Sequence, residues 1–227
     1  MPLEAAEPLR PLEAAESLLP LQAADKIHLA ILQGSQPAIW PGLQHLSHLV
    51  ANRTTIPLGE PQIVAAESQQ LLFHPLVYWA PSLADHPLDA AKVQALNAYM
   101  RSGGLLIIDG QGWSDPLLTV ARLAPGLESP SLRPLTEDHV LLRSYYLLRN
   151  YPQIMAPAQS WLADPAAESD GVTALILTNA GWAAAWAAGN DRSMEMRLGV
   201  NLVIYSLTGT YKADQVHLPA LMERLGR

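Results

Sequence analysis

Leu105-Leu-Ile-Ile108 is the stretch that most restricts the fold. It is apolar at every position, so a strand made from it has no side to give to water. Strands of that kind belong to parallel sheets covered by helices on both faces, whereas a half-exposed sheet alternates apolar and polar residues. The segment before it supplies a covering helix. Pro87 stands near the helix start and Asp89 in its first turn. Val93, Leu96 and Met100 follow at spacings of three and four, which makes one apolar stripe. Gly103-Gly104 stops the helix, as glycine does just past a helix C-terminus.

The same alternation extends in both directions. Ile27–Leu32 reads as a first strand, with Gln33-Gly34-Ser35 as its turn. Trp40–Asn52 carries Leu43, Leu46, Leu49 and Val50 at helical spacing. Leu71–Trp79 reads as a strand whose centre is Leu76–Trp79, because Pro75 interrupts its beginning. Asp115-Pro116 opens another helix. Val140–Leu148, with Tyr145 and Tyr146 inside, and Val172–Thr178 have strand character. Trp182 and Trp186 lie four apart, on one face of a helix or a strand. Ser193 caps a last helix that buries Leu198, Leu202 and Tyr205, and Gly209 ends it. Strand and helix alternate up to about residue 125, so the expected fold is α/β with a largely parallel sheet. Residues 26–227 form one domain in this reading.

Residues 1–25 stand apart. Pro2-Leu-Glu-Ala-Ala-Glu7 recurs as Pro11-Leu-Glu-Ala-Ala-Glu16 and loosely as Pro20-Leu-Gln-Ala-Ala-Asp25. Proline suits a first helical turn and breaks an interior, so each unit makes a turn or two at most. The segment reads as a linker or leader. It holds most of the acidity, with five acids against Arg10, while the whole chain has a net charge of −7. The body is nearly neutral. Such a chain lacks the basic stripe that nucleic acid requires. It has neither the basic and apolar regions of a signal peptide nor an apolar run long enough to span a bilayer.

The sequence contains no cysteine. That removes disulfide frameworks, cysteine-ligated metals and cysteine nucleophiles. Ligands of open α/β sheets sit outside the carboxyl ends of strands, which here means Asp109, Gln111, Trp113, Ser114 and Asp115. Asp109 has two readings: a metal, phosphate or proton ligand, or a cap for the turn made by Gly110 and Gly112. The dinucleotide fingerprint fails because Asp115 stands where a third glycine is needed, and no P-loop is present. Gly112-Trp-Ser-Asp-Pro116 lacks the final glycine of a nucleophile elbow around Ser114. His45 and His48 lie three apart without an acid placed to complete a metal site, so no metal is expected. Glu137-Asp138-His139 is the one acid–histidine cluster, and His139 is a candidate general base or an ordinary strand start. Trp182 and Trp186 stack on a ligand or fill the core.

Several segments resemble an uncharacterised bacterial family, domain of unknown function 4159. They are His74–Trp79, Leu96–Gly104 leading to Asp109, Asp138–Leu142 with Tyr146, Trp182–Trp186, Gly199–Tyr205 and Leu207–His217. The resemblance covers roughly residues 26–226. It implies a flavodoxin-like fold similar to class I glutamine amidotransferases, a three-layer sandwich with a mostly parallel sheet. It also implies a soluble domain at the end of a bacterial membrane protein whose N-terminal region is of the aerotolerance-regulator (BatA) type, tethered through that parent. Amidotransferases of that class need a cysteine at a strand-to-helix turn. The comparable turn here is Asp109–Gly112, so glutaminase chemistry by that route is excluded. The expectation is a non-catalytic domain without a cofactor that binds a protein partner or a small ligand. The alternative is a hydrolase or phosphoryl-transfer enzyme using Asp109 with Asp115 or His139. A phosphoacceptor switch at Asp109 would want an acidic pair near the first strand, and Gln33-Gly34-Ser35 offers none.

Overall fold

The computed structural model describes residues 26–129, 132–136, 139–149, 160–163 and 173–208. Its elements run in the order β1 (Ala30–Leu32), α1 (Ile39–Arg53), β2 (Gln62–Val64), β3 (Leu76–Trp79), α2 (Ala90–Arg101), β4 (Leu105–Asp109), α3 (Pro116–Leu123), β5 (Leu132–Pro134), β6 (Ser160–Ala163), β7 (Leu175–Thr178) and α4 (Trp182–Ala187). A last helix, α5, spans 194–208. The strands form one sheet in the order β2-β1-β3-β4-β7-β6-β5. β2, β1, β3, β4 and β7 are mutually parallel, while β6 and β5 add antiparallel strands at one edge. The linker repeat, Glu137, Asp138, Gly209 and His217 lie outside the described residues.

Every residue of β3, β4 and β7 is buried. Alternate side chains go to opposite layers, as the pleat requires. Leu76 and Tyr78 of β3 and Leu105 and Ile107 of β4 face α1, α4 and α5. Val77 and Trp79, with Leu106 and Ile108, face α2 and α3. This two-sided burial is why those strands read as unbroken apolar runs. Helix ends follow local chemistry. Asp89 caps α2 by accepting from the Lys92 N–H (2.9 Å), and Gly103 adopts φ +94° just after the helix. Asp115 caps α3 through the Leu118 N–H (3.0 Å), with Pro116 in its first turn. Ser193 accepts from the Met196 N–H (3.1 Å) at the start of α5.

Helices α1 and α4 approach closely because Gly42 has no side chain. A Cβ there would lie 2.0 Å from the Ala183 carbonyl oxygen. Two polar atoms on these helices, Ser47 Oγ and Trp182 Nε1, are buried without a hydrogen-bond partner. His45 ties α1 to the end of α4: one ring nitrogen meets the Trp186 carbonyl (2.8 Å) and the other Asp191 (2.7 Å).

Three sequence expectations change. Leu71–Trp79 is not one strand, because Gln69–Phe73 forms a 3-10 turn and β3 begins only after Pro75. The sequence reading places no strand at β2, β5 or β6; each is only three or four residues long, and in β2 Gln62 and Ile63 are exposed, which gives too little pattern to read. Val140–Leu148 is not a strand. Val140–Arg143 is a 3-10 turn, capped by the His139 ring through the Leu141 N–H (3.2 Å). Leu141, Leu142 and Leu148 are buried in the core layer that holds α5 instead of pairing in the sheet, while Leu147 is 65% exposed.

Asn201 holds that segment in place. It is fully buried on α5, donates to the carbonyls of Leu141 and Tyr146 (2.9 Å each) and accepts from the Tyr146 N–H (2.7 Å). Asn201→Ala leaves three backbone groups without partners. Only the Leu141 carbonyl is fully buried, and the two Tyr146 groups are partly exposed to water, so the expected loss in denaturant unfolding is about 1–3 kcal/mol. In hydrogen exchange, the Tyr146 amide should lose protection ahead of the sheet amides. Unchanged protection at Tyr146 would refute the role.

Candidate functional site

The carboxyl ends of β1, β3, β4 and β7 form one end of the molecule. The chain winds outward from β1 to β2 and then back to β3, so the strand order reverses between β1 and β3. Open α/β sheets bind ligands at such a switch point. Here the two loops are joined across it: the Ala80 N–H donates to Ser35 Oγ and the Gln36 N–H to the Ala80 carbonyl (3.1 Å each).

Asp109 ends β4 and follows Leu105 and Ile107 in facing α1 and α4. It is 2% exposed. Its carboxylate accepts three hydrogen bonds. The Gly181 N–H lies 3.0 Å from Oδ1, the Trp182 N–H lies 2.7 Å from Oδ2, and the Tyr78 hydroxyl donates to Oδ2 as well. The Tyr78 oxygen in turn accepts from the Ala183 N–H (3.2 Å). Three successive backbone donors at the start of α4 are thereby satisfied by two side chains from neighbouring strands. Gly181, the cap residue of α4, has no side chain of its own and sits at φ +68°. Asp109 therefore does the work of an N-cap from 72 positions away in sequence. It is not the cap of its own turn. Burial raises its pKa above the usual carboxylate value, and the Tyr78 and backbone hydrogen bonds pull the other way.

The other strand-end candidates take separate positions. Trp113 is buried and folds back over Gly110, where a Cβ would meet its ring at 1.9 Å; Asn179 donates to its carbonyl (3.0 Å). Gln111 is exposed, and its side chain lies over Gly181. Ser114 is exposed in the turn, and Asp115 is the cap of α3. Asp109, Gln111 and Trp113 are thus gathered around the start of α4, with Ser114 and Asp115 on the outer side of the turn. His139 is elsewhere. Its ring packs edge-on against Tyr205 at 6.0 Å, and the Tyr205 hydroxyl accepts from the Thr173 N–H ahead of β7. That is the origin of the strand whose far end pairs with Asp109. Burial lowers the pKa of His139. Trp182 and Trp186 are fully buried core residues and offer no stacking surface.

Around the strand ends the exposed groups are apolar as well as polar. Leu118 is 69% and Leu83 57% exposed. Arg122, one helical turn beyond Leu118, donates to the carbonyls of Leu83 (2.8 Å) and Asp85 (3.2 Å) and so holds that loop against α3. Among the described residues no cluster of three or more His, Asp or Glu is arranged to hold a metal ion.

Fold and site together define an α/β domain with an open, mostly parallel sheet, helices on both faces and a structural carboxylate at the strand ends. The chain belongs to the family described as domain of unknown function (DUF4159), whose model matches residues 29–207. No curated protein is detectably similar to it.

Tyr78 and Asn201 are the residues that sequence reasoning did not single out. Each has a polar group inside an apolar run, and that is the signal that could have marked them. A buried polar atom must find a partner, so it points to a contact across the fold.

Proposed function

We propose that this chain is a non-catalytic binding domain, flavodoxin-like and similar in fold to class I glutamine amidotransferases, carried by a bacterial membrane-associated protein. The observation that carries this reading is the engagement of Asp109. The carboxylate best placed for chemistry at a strand end meets Tyr78, Gly181 and Trp182, and its burial keeps a reacting atom away. The missing cysteine removes the amidotransferase route. What remains around the strand ends is contact surface, in which Leu83, Leu118, Gln111 and Ser114 are all exposed. Such a surface suits a protein partner or a small ligand better than a reaction.

The strand order β2-β1-β3-β4-β7 supports the flavodoxin-like assignment, since it follows the 2-1-3-4-5 winding of that class. Membrane association rests on the resemblance of the chain to domains of BatA-type proteins. Among the described residues no helix is long and apolar enough to cross a membrane, so in this reading the parent protein supplies the anchor.

A thermal-shift screen with metals, nucleotides, phosphates and amino acids, run beside hydrolysis assays on a general phosphate ester and a general acyl ester, tests the proposal. No turnover is expected. A small ligand present at about 100 times its Kd would add roughly 2.7 kcal/mol, or about 5–10 °C for a domain of this size. Ser114→Ala and Gln111→Ala should shrink that shift while leaving the unliganded protein within about 0.5 kcal/mol of wild type. Ester hydrolysis that disappears in Asp109→Asn at an unchanged melting temperature would overturn the non-catalytic reading.

A further inference from the structure

Two arginines meet on Tyr146. Arg53, the last residue of α1, donates from Nη1 to the Tyr146 hydroxyl (2.9 Å). Arg197, in the first turn of α5, sets its guanidinium over the Tyr146 ring, 5.7 Å from the centroid. Tyr145 locks the arrangement. Its hydroxyl donates to the Arg53 carbonyl (3.1 Å), and its ring stands edge-on to that of Tyr146 at 4.9 Å. The Tyr146 backbone is already fixed by Asn201.

The charge of this cluster is unanswered. Among the described residues neither Arg53 nor Arg197 forms an ion pair with Asp or Glu. A guanidinium carries several N–H donors; Arg53 gives one to Tyr146, and Arg197 only faces a ring. Arg149 is exposed a few residues further on, and residues 140–149 contain no acid, in a chain with 21 acids against 14 bases. Beside the charges lie apolar groups left in water: Tyr145 is 47% and Leu147 65% exposed.

We propose that this cluster binds a short acidic peptide segment of a protein partner, with carboxylates on Arg53 and Arg197 and an apolar side chain against Tyr145 and Leu147. Charge complementarity selects the carboxylates, because the planar fork of arginine takes one through two parallel hydrogen bonds. Arginine and tyrosine are the residue types that dominate binding hot spots. Here they are held in place before a partner arrives, so less freedom is lost on binding. Two observations disfavour an extended polyanion. A chain of net charge −7 repels one, and the exposed Leu147 has no role on a phosphate backbone. The proposal rests on the binding-domain reading and names a partner class for it, but it uses none of the residues at the strand ends.

The probe is a fluorescent peptide, Glu-Glu-Leu-Glu-Glu-Leu-Glu-Glu, beside the same peptide with glutamine in place of glutamate. Anisotropy with the full chain should show saturable binding of the acidic peptide alone. Arg53→Gln with Arg197→Gln should weaken it roughly tenfold or more. Lys92→Gln with Arg101→Gln makes the same change in net charge on α2, where both cations already have carboxylate partners, and should leave binding unchanged. Arg53→Lys with Arg197→Lys keeps the charge without the fork and should still lose roughly fivefold. Leu147→Asp, at an exposed position, should weaken binding at an unchanged melting temperature. No binding by the wild type, or equal weakening in the two charge-matched pairs, would overturn the proposal. So would tighter binding to phosphatidylglycerol vesicles or to single-stranded DNA than to the peptide, which would assign the cluster to a polyanion. Ester hydrolysis lost in Asp109→Asn would overturn the binding-domain reading and leave the peptide result standing, so the two failures are distinguishable.

Discussion

Asp109→Ala should lower the melting temperature by at least about 6 °C. The substitution removes the acceptor of three donors: the Gly181 N–H, the Trp182 N–H and the Tyr78 hydroxyl. Each buried donor left without a partner costs about 1–3 kcal/mol, and each kcal/mol is about 2–4 °C for a chain of this length. Asp109→Asn is the more informative variant. Both carboxylate oxygens accept from backbone N–H groups, so either orientation of the amide sets its NH2 against one of them. A loss of about 1–3 kcal/mol is expected. A loss well below 1 kcal/mol in both variants would return Asp109 to the list of ligand-binding candidates.

The same pair of proteins isolates a pH effect. Burial raises the pKa of Asp109 in the folded state. The folded protein then holds its proton to higher pH than the unfolded chain, so ionisation costs stability as pH rises between the unfolded and folded values. Stability differences between wild type and Asp109→Asn, followed by denaturant unfolding, should therefore narrow as pH rises from below the ordinary carboxylate value. A difference that widens over that range would show a carboxylate favoured by its hydrogen bonds over its burial.

Trp186→Ala is the second large effect, about 3–5 kcal/mol. Trp186 is 1% exposed and packs edge-on against Tyr78 at 5.6 Å and beside Trp182 at 6.5 Å. Its indole donates to the Glu195 carbonyl (2.9 Å), which ties the end of α4 to α5. Removing the ring opens a cavity among α1, α4 and α5 and frees that carbonyl. Trp186→Phe keeps most of the buried surface and should lose only the hydrogen bond and part of the packing. Equal losses for the two variants would mean that the hydrogen bond, not the volume, carries the stability.

The parts of the fold that were legible share a local cause. The α2–β4 unit announced itself through Asp89, the stripe Val93, Leu96 and Met100, and Gly103. Each of these acts on residues within a turn of itself. Asp115 at α3 and Ser193 at α5 were readable for the same reason. The segment Val140–Leu148 was not, because apolar residues without a fixed period fit a strand and a buried turn equally well. Its outcome was decided by Asn201, more than 50 positions away, which takes the backbone groups that a strand would have paired. The strand-end candidates divide in the same way. The sequence located the turn after β4, but it could not say which donors Asp109 would meet.

By itself, then, the sequence determined the α/β class, the buried character of the central strands, the local helix caps and the exclusion of every chemistry that needs a thiol. Those properties follow from side-chain periodicity, from neighbours a few residues apart or from a missing element. Only the tertiary structure decided that Asp109 and Tyr78 cap α4, that Trp182 and Trp186 are core, and that His139 stands at the other end of β7 from Asp109. Those assignments depend on which strands lie side by side, and the order β3-β4-β7 brings together residues that the chain keeps far apart.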